Sequence, residues 1–223
     1  MGGDNDIVIC KYDEIFDNEV YEKKIETNNL TGDFQNDLCI LYELMMGPCN
    51  KMYKRSVIRR FAINFNEEIE FSEDRLFNYN YCLNINKYRY IDKSLYHYCK
   101  LNTNSLSKQR KIKSFKNALF VLEKEKDFLF FINAKNRERM LCSSAFFYAG
   151  CFLSITGERD TYNKFCDRMN LLLYILHDCK IEGPWRCRLF FYLLKNDMFI
   201  LALLFKNQRE MLKKIRMKLE NLM

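Results

Sequence analysis

The sequence predicts a fold that opens as α+β and becomes mostly α. Three observations carry this expectation. β-Branched and aromatic runs suited to strands occur at residues 7–10, 88–91 and 94–98. Apolar residues at helical spacing lie between them. From residue 108 onward helical periodicity dominates to the end of the chain. The composition agrees with a packed globular chain, since 48% of its 223 residues are apolar and 29% charged. With only 7 Gly and 2 Pro, long flexible linkers are not expected.

Ile7-Val8-Ile9-Cys10 reads as the first strand. Residues 17–33 are polar, with Asn28, Asn29, Gly32 and Asp33, and read as a loop. Asp37–Met46 has Leu38, Leu41, Leu44 and Met45 on one helical face, and Gly47-Pro48 stops it. Ser56 suits the cap of a short helix, and Phe61–Phe65 alternates as a strand would. Ser72 is the expected N-cap of a helix through Leu76, Phe77, Tyr81 and Leu83. Tyr88–Ile91 and Ser94–Tyr98 read as two strands separated by a short turn. Lys108–Lys113 is a basic join, and helices are expected near 112–132, 135–155, 159–179 and 184–220. The last should break at Asn196-Asp197. The change of character sets the expected domains at 1–107 and 108–223.

The net charge is +7, concentrated in Lys206, Arg209, Lys213, Lys214, Arg216 and Lys218 near the end. Such a tail suits an anionic lipid surface or an acidic partner, or is simply a solvated helix face. Leu189–Phe205 is apolar but short and interrupted by Lys195 and Asp197, so it reads as a poor spanning helix. It reads instead as an interfacial amphipathic helix or as a buried helix of a bundle. Nucleic-acid binding has only the charge behind it, with no recognisable module. Ten scattered cysteines form no CxxC pair and only two histidines exist, so no zinc-ligand set and no other metal site is read. Scattered thiols without a signal peptide imply a reducing, cytoplasmic setting.

From Gly47 the chain reads GPCNKMYKRSVI, then FAINFNEEIEFSEDRLFNYNY, then YRYIDKSLYHYCKLNTNSLS. The order of Asn50-Lys51-Met52-Tyr53-Lys54, Glu73-Asp74 with Phe77, Tyr96-His97-Tyr98 and Asn102–Ser107 resembles the second half of family 2 glycosyltransferases. The likeness is to those that build bacterial capsular and surface polysaccharides. The resemblance implies a fold: the C-terminal part of a GT-A (Rossmann-like α/β) domain in residues 1–107, followed by a helical C-terminal region.

It also implies an inverting transfer from a nucleotide-sugar donor to a saccharide or lipid-linked acceptor. Asp74 would take the proton of the acceptor hydroxyl, and Glu73 would orient acceptor hydroxyls or neighbouring backbone. In isolation Ser72-Glu73-Asp74 reads first as a helix cap. Asn50 belongs to the same matching segment, and Lys51 and Lys54 suit a sugar diphosphate or a phosphorylated acceptor, although two lysines also suit plain solvation. His97, Lys100, Asn104 and Ser105 fall where the family places a loop that closes over the diphosphate, or form a polar turn.

The family also uses a divalent cation, Mg or Mn, held by a DxD motif after a strand. Asp4-Asn5-Asp6 fits that pattern but precedes its strand, so it reads as a strand entry. The DxD-bearing nucleotide-binding half is therefore expected to be missing. The chain reads as a fragment, inactive alone and prone to self-association through torn sheet edges, with a peripheral position on the inner face of the plasma membrane. The alternative is a non-enzymatic helical interaction or membrane-docking module with a remnant transferase segment.

Overall fold

The computed structural model describes residues 5–16, 19–22, 29–99, 112–153, 161–202 and 204–205. The chain forms two compact units, Met1–Arg137 and Glu138–Met223.

The first unit is built on a four-stranded mixed sheet with β1 (Ile7–Phe16) inside it. β1 runs parallel to β4 (Tyr88–Cys99) along nearly its whole length. On its other edge it pairs antiparallel with β3 (Lys51–Tyr53) through Ile7–Ile9, then with β2 (Glu19–Glu22) through Asp13–Phe16. Ile7 and Ile9 are fully buried, as expected of a strand flanked on both edges. Residues 19–22 were expected in a loop; Val20 and Tyr21 are good strand formers, and β1 offers them a free edge.

β4 corrects the expectation of two strands and a turn. Cys10 pairs with Ile91 and Lys11 with Ser94, so Asp92 and Lys93 bulge out of one continuous strand. Lys11 Nζ holds Asp92 Oδ1 at 2.5 Å, and Tyr90 donates to the same carboxylate at 3.2 Å. The polar pair that resembles a turn is thus a bulge tied down by its own charge.

Helices α1 (Phe34–Leu41), α2 (Arg55–Arg60), α3 (Glu73–Cys82) and α4 (Ile112–Phe131) complete the unit. α1 starts earlier than expected because Asp33 caps it, accepting from Asn36 N at 2.9 Å. It then tightens into a 3₁₀ turn over Tyr42–Met46, and Gly47 ends it in extended backbone. Ser56 lies inside α2 rather than capping it, because Lys54 occupies the N-cap position. Phe61–Phe65 forms no strand, since Ala62 turns the chain at φ +48°. Instead Phe65 stacks on Phe77 at 4.4 Å. Ser72 does precede α3, but at φ +63° and without a capping side-chain hydrogen bond.

α4 packs against α3, with Phe128 stacked on Tyr79 at 5.1 Å. Its buried Glu125 accepts from Tyr79 at 2.8 Å and from Tyr42, and faces Arg75 at 3.9 Å. Helical composition begins near residue 108, but this contact carries the compact unit on to Arg137.

The second unit contains α5 (Arg137–Leu153) from Glu138 on, α6 (Thr161–Ile175) and α7 (Trp185–Lys195). Leu141, Ala145, Leu172, Leu176, Phe190, Phe191 and Leu194 are fully buried in it. α7 stops where expected, turning through Asn196 and Asp197 (φ +56°) before helix resumes at Phe199. Among the described residues no helix is long and apolar enough to cross a membrane. The basic tail expected at 206–218 lies outside the described residues.

Candidate functional site

The turn at Met45–Gly47 organises the candidate site. Gly47 O accepts from Lys51 Nζ and, at 3.3 Å, from Asn78 Nδ2. Asn78 is fully buried; its amide also donates to Met45 O at 2.7 Å, and its carbonyl accepts from Tyr53 at 2.5 Å. Lys51 spends its remaining protons on Leu44 O and on Asn50 Oδ1 at 2.7 Å. Asn50 in turn donates to Cys10 O at 2.8 Å, and its own carbonyl accepts from Cys10 N at 3.0 Å. A short chain of hydrogen bonds therefore runs from β1 through β3 to the face of α3 that carries Asn78.

Asp74 sits one turn before Asn78, on the same face of α3. Its Oδ1 accepts from Arg75 N at 2.8 Å. Among the described residues no side chain donates to it. A side-chain carbon at Gly47 would stand in ordinary contact, 3.9 Å from its Oδ2 and 3.9 Å from Cys49 Sγ, so the turn packs close beside the carboxylate. Burial pushes the Asp74 carboxyl up from its ordinary value, against the Arg75 backbone hydrogen bond that favours the anion; the neighbouring Glu73 charge adds to the rise. Glu73 itself is the first residue of α3 and half-buried.

Lys51 responds in the opposite direction. Burial lowers its ammonium to about 8, while surrounding groups including Asp74 partly restore it. With its protons donated to Leu44, Gly47 and Asn50, Lys51 holds the turn together. Asn50 is likewise buried and internally bonded.

Lys54 and His97 each face a carboxylate other than Asp74, and those carboxylates stand far apart. Lys54 Nζ lies 3.7 Å from Asp6 at the entry of β1, and His97 Nδ1 lies 3.3 Å from Asp13 near its far end. Those partners are seven residues apart on an extended strand, roughly 23 Å. Lys100, Asn104 and Ser105 lie outside the described residues.

Asp6 does not fit a cation ligand. Its Oδ2 accepts from Asn86 N at 3.3 Å and Lys87 N at 3.2 Å, and its other oxygen faces Lys54. Among the described residues no group of three or more His, Cys, Asp or Glu side chains could hold a metal ion.

Asn78 was not foreseen from the sequence. Its spacing four residues after Asp74 was the available signal, because residues at that spacing share a helix face. A groove of about 310 Å³ between α3 and α4 is lined by Leu76, Tyr79, Leu83, Phe128 and Phe131. It lies on the opposite face of α3 and is apart from the carboxylate.

No protein-family model matches the chain. No curated protein sequence matches it either. A solved structure does resemble it: S. aureus TarS, residues 1–349, a glycosyltransferase crystallised with UDP-GlcNAc. The likeness has a TM-score of 0.55 at 13% identity and covers 92% of this chain. The chain spans 60% of the length of that neighbour. At this identity the likeness is one of fold, and the fold is glycosyltransferase-like.

Proposed function

We propose that the chain serves a nucleotide-sugar-dependent, family 2 GT-A-type glycosyltransferase that transfers a sugar with inversion, in the synthesis of a cell-surface polysaccharide. The observation that carries this reading is Asp74: a partly buried carboxylate at a helix start, bonded to backbone and to no side chain among the described residues. Burial raises its proton affinity, which makes it a stronger base than an exposed aspartate. The fold likeness to TarS, whose crystals hold UDP-GlcNAc, supports a nucleotide-sugar donor.

In this reading the acceptor hydroxyl oxygen attacks the anomeric carbon while its proton passes to Asp74. The bond from that carbon to the donor phosphate breaks, and its electron pair leaves with the nucleoside diphosphate. Glu73 orients acceptor hydroxyls or neighbouring backbone at the helix start, while Lys51, Asn50 and Asn78 hold the Met45–Gly47 turn beside the base. The resemblance calls for Mg or Mn, but the described residues do not fit a cation site. The acceptor is a saccharide or lipid-linked saccharide, and the setting is the cytoplasmic face of a membrane.

The test is release of nucleoside diphosphate by the chain joined to its expected nucleotide-binding half, from a panel of nucleotide sugars, UDP-GlcNAc first, with Mg or Mn and a saccharide acceptor. Acceptor-dependent release supports the reading. Absence of release across the panel counts against it.

A second reading, a helical module that docks on an anionic bilayer, has one observation in its favour. The outward face of α7 exposes Trp185, Leu189 and Tyr192 at one-turn spacing, between Arg186 on one flank and Arg188 and Lys195 on the other. α7 carries no acidic side chain. Aromatic residues beside cations suit an anionic membrane interface. Loss of vesicle binding on replacing Trp185 and Tyr192 with serine is the expected outcome under that reading.

A further inference from the structure

The second unit holds a feature that the transfer chemistry of Asp74 does not use. An open cavity of about 430 Å³ is lined by Arg139 of α5, Arg188 of α7, and Lys180, Ile181, Glu182, Gly183 and Pro184 of the segment that leads into α7. Three cationic side chains thus meet one carboxylate. That carboxylate is already engaged, since Lys180 Nζ lies 3.2 Å from Glu182 Oε1. Among the described residues neither the Arg139 nor the Arg188 guanidinium has an ion-pair partner.

Two unpaired guanidiniums lining one concavity form an electrostatic site, because their potentials add where solvent is partly excluded. Guanidinium presents a planar fork of donors that fits phosphate oxygens in pairs. The local backbone favours the same ligand charge. α7 begins after Pro184, so no side chain caps its first N–H groups, and no acidic residue stands in its first turn. Gly183, at φ +125°, brings the chain around into this start. The helix end alone would not define a site; the paired arginines and the cavity do.

The volume decides what kind of anion fits. Ligand pockets run from about 300 to 1,000 Å³, so this cavity has room for a diphosphate or a phosphate with a substituent, not only a lone ion.

We propose that the cavity between Arg139, Lys180 and Arg188 is a binding site for a phosphate-bearing ligand, either a soluble phosphorylated molecule or the headgroup of an anionic phospholipid. The site stands on residues of the second unit alone, so it does not depend on the reading of Asp74.

The experiment uses the full chain at low ionic strength with two probes. One is inorganic pyrophosphate, titrated calorimetrically. The other is phosphatidylcholine vesicles with and without phosphatidylglycerol, followed by co-sedimentation. The variants are Arg139→Gln with Arg188→Gln, and Lys116→Gln with Lys135→Gln as a control that removes the same charge from exposed side chains that do not line the cavity. Circular dichroism of both double variants checks that the helices persist. Saturable pyrophosphate binding that the cavity variant weakens at least about tenfold, and the control less than about twofold, supports a soluble phosphate ligand. The same pattern seen only with phosphatidylglycerol vesicles supports a lipid headgroup. Binding to neither probe overturns the proposal. So does binding that both double variants weaken equally, which would report net charge and not a site.

Discussion

Asp74 and Lys51 stand at the same turn, and burial acts on them in opposite senses. The Asp74 carboxyl is raised, so its neutral form is the one the fold prefers. Stability from this group is present below the ordinary carboxylate range and is lost as pH rises through the raised value. Asp74→Asn should therefore stabilise the protein at pH 7, by about 1 kcal/mol as is common where a functional group is held at a cost. The gain should vanish in acid, where both side chains are neutral; denaturant midpoints against pH measure it. Asn78→Ala should act the other way, losing about 2 kcal/mol by removing the partner of Met45 O and of the Tyr53 hydroxyl, while Gly47 O keeps Lys51. Asp74 was singled out in the sequence because its neighbours resemble a family pattern. Lys51 and Asn50 were legible as positions but not as roles: only three dimensions show that Leu44 and Gly47 carbonyls consume the ammonium.

At the scale of elements, the ties that set strand and helix positions run through carboxylates. Asp37 of α1 is buried and accepts from Thr31 N, Gly32 N and Thr31 Oγ1, and from Tyr88 of β4 at 2.5 Å. Burial alone would raise its carboxyl, but these hydrogen bonds outweigh burial and hold it below its usual value. Its stabilisation is therefore present above about pH 4 and lost as pH falls through the lowered value. Asp37→Asn should cost about 2 kcal/mol at pH 7. It should also remove part of the acid-induced loss of stability seen in the wild type, measurable as a flatter profile of unfolding midpoint against pH. The sequence read α1, α3 and the long C-terminal helices closely, because apolar spacing at 3.6 residues survives any context. It misread β2 and the β4 bulge, because both depend on what β1 offers along its edges. Glu19–Glu22 looks like loop until a partner strand is present, and Asp92-Lys93 looks like a turn until Lys11 is placed opposite.

At the scale of the molecule, the division into units follows packing and not composition. Glu125 of α4 gathers Tyr42, Tyr79 and Arg75 into one buried network within the first unit. Removing it breaks the Tyr42 and Tyr79 hydrogen bonds and the Arg75 contact at once, so Glu125→Ala should cost about 3 kcal/mol. Urea titration of the variant checks this. A sequence read in one dimension marks where helices begin, not which core they join, and that is why residue 108 and the break after Arg137 differ. The proposed transfer chemistry places its base in the first unit, at Asp74. The central claim rests on that one carboxylate, and turnover across pH tests it most directly. With a nucleotide-sugar donor and acceptor, the wild type should lose activity on the acid side above the ordinary aspartate range. Asp74→Asn should lower kcat by about 10²- to 10⁴-fold, the contribution of a positioned base. An Asp74→Asn protein that keeps wild-type kcat and the same acid limb would contradict the assignment.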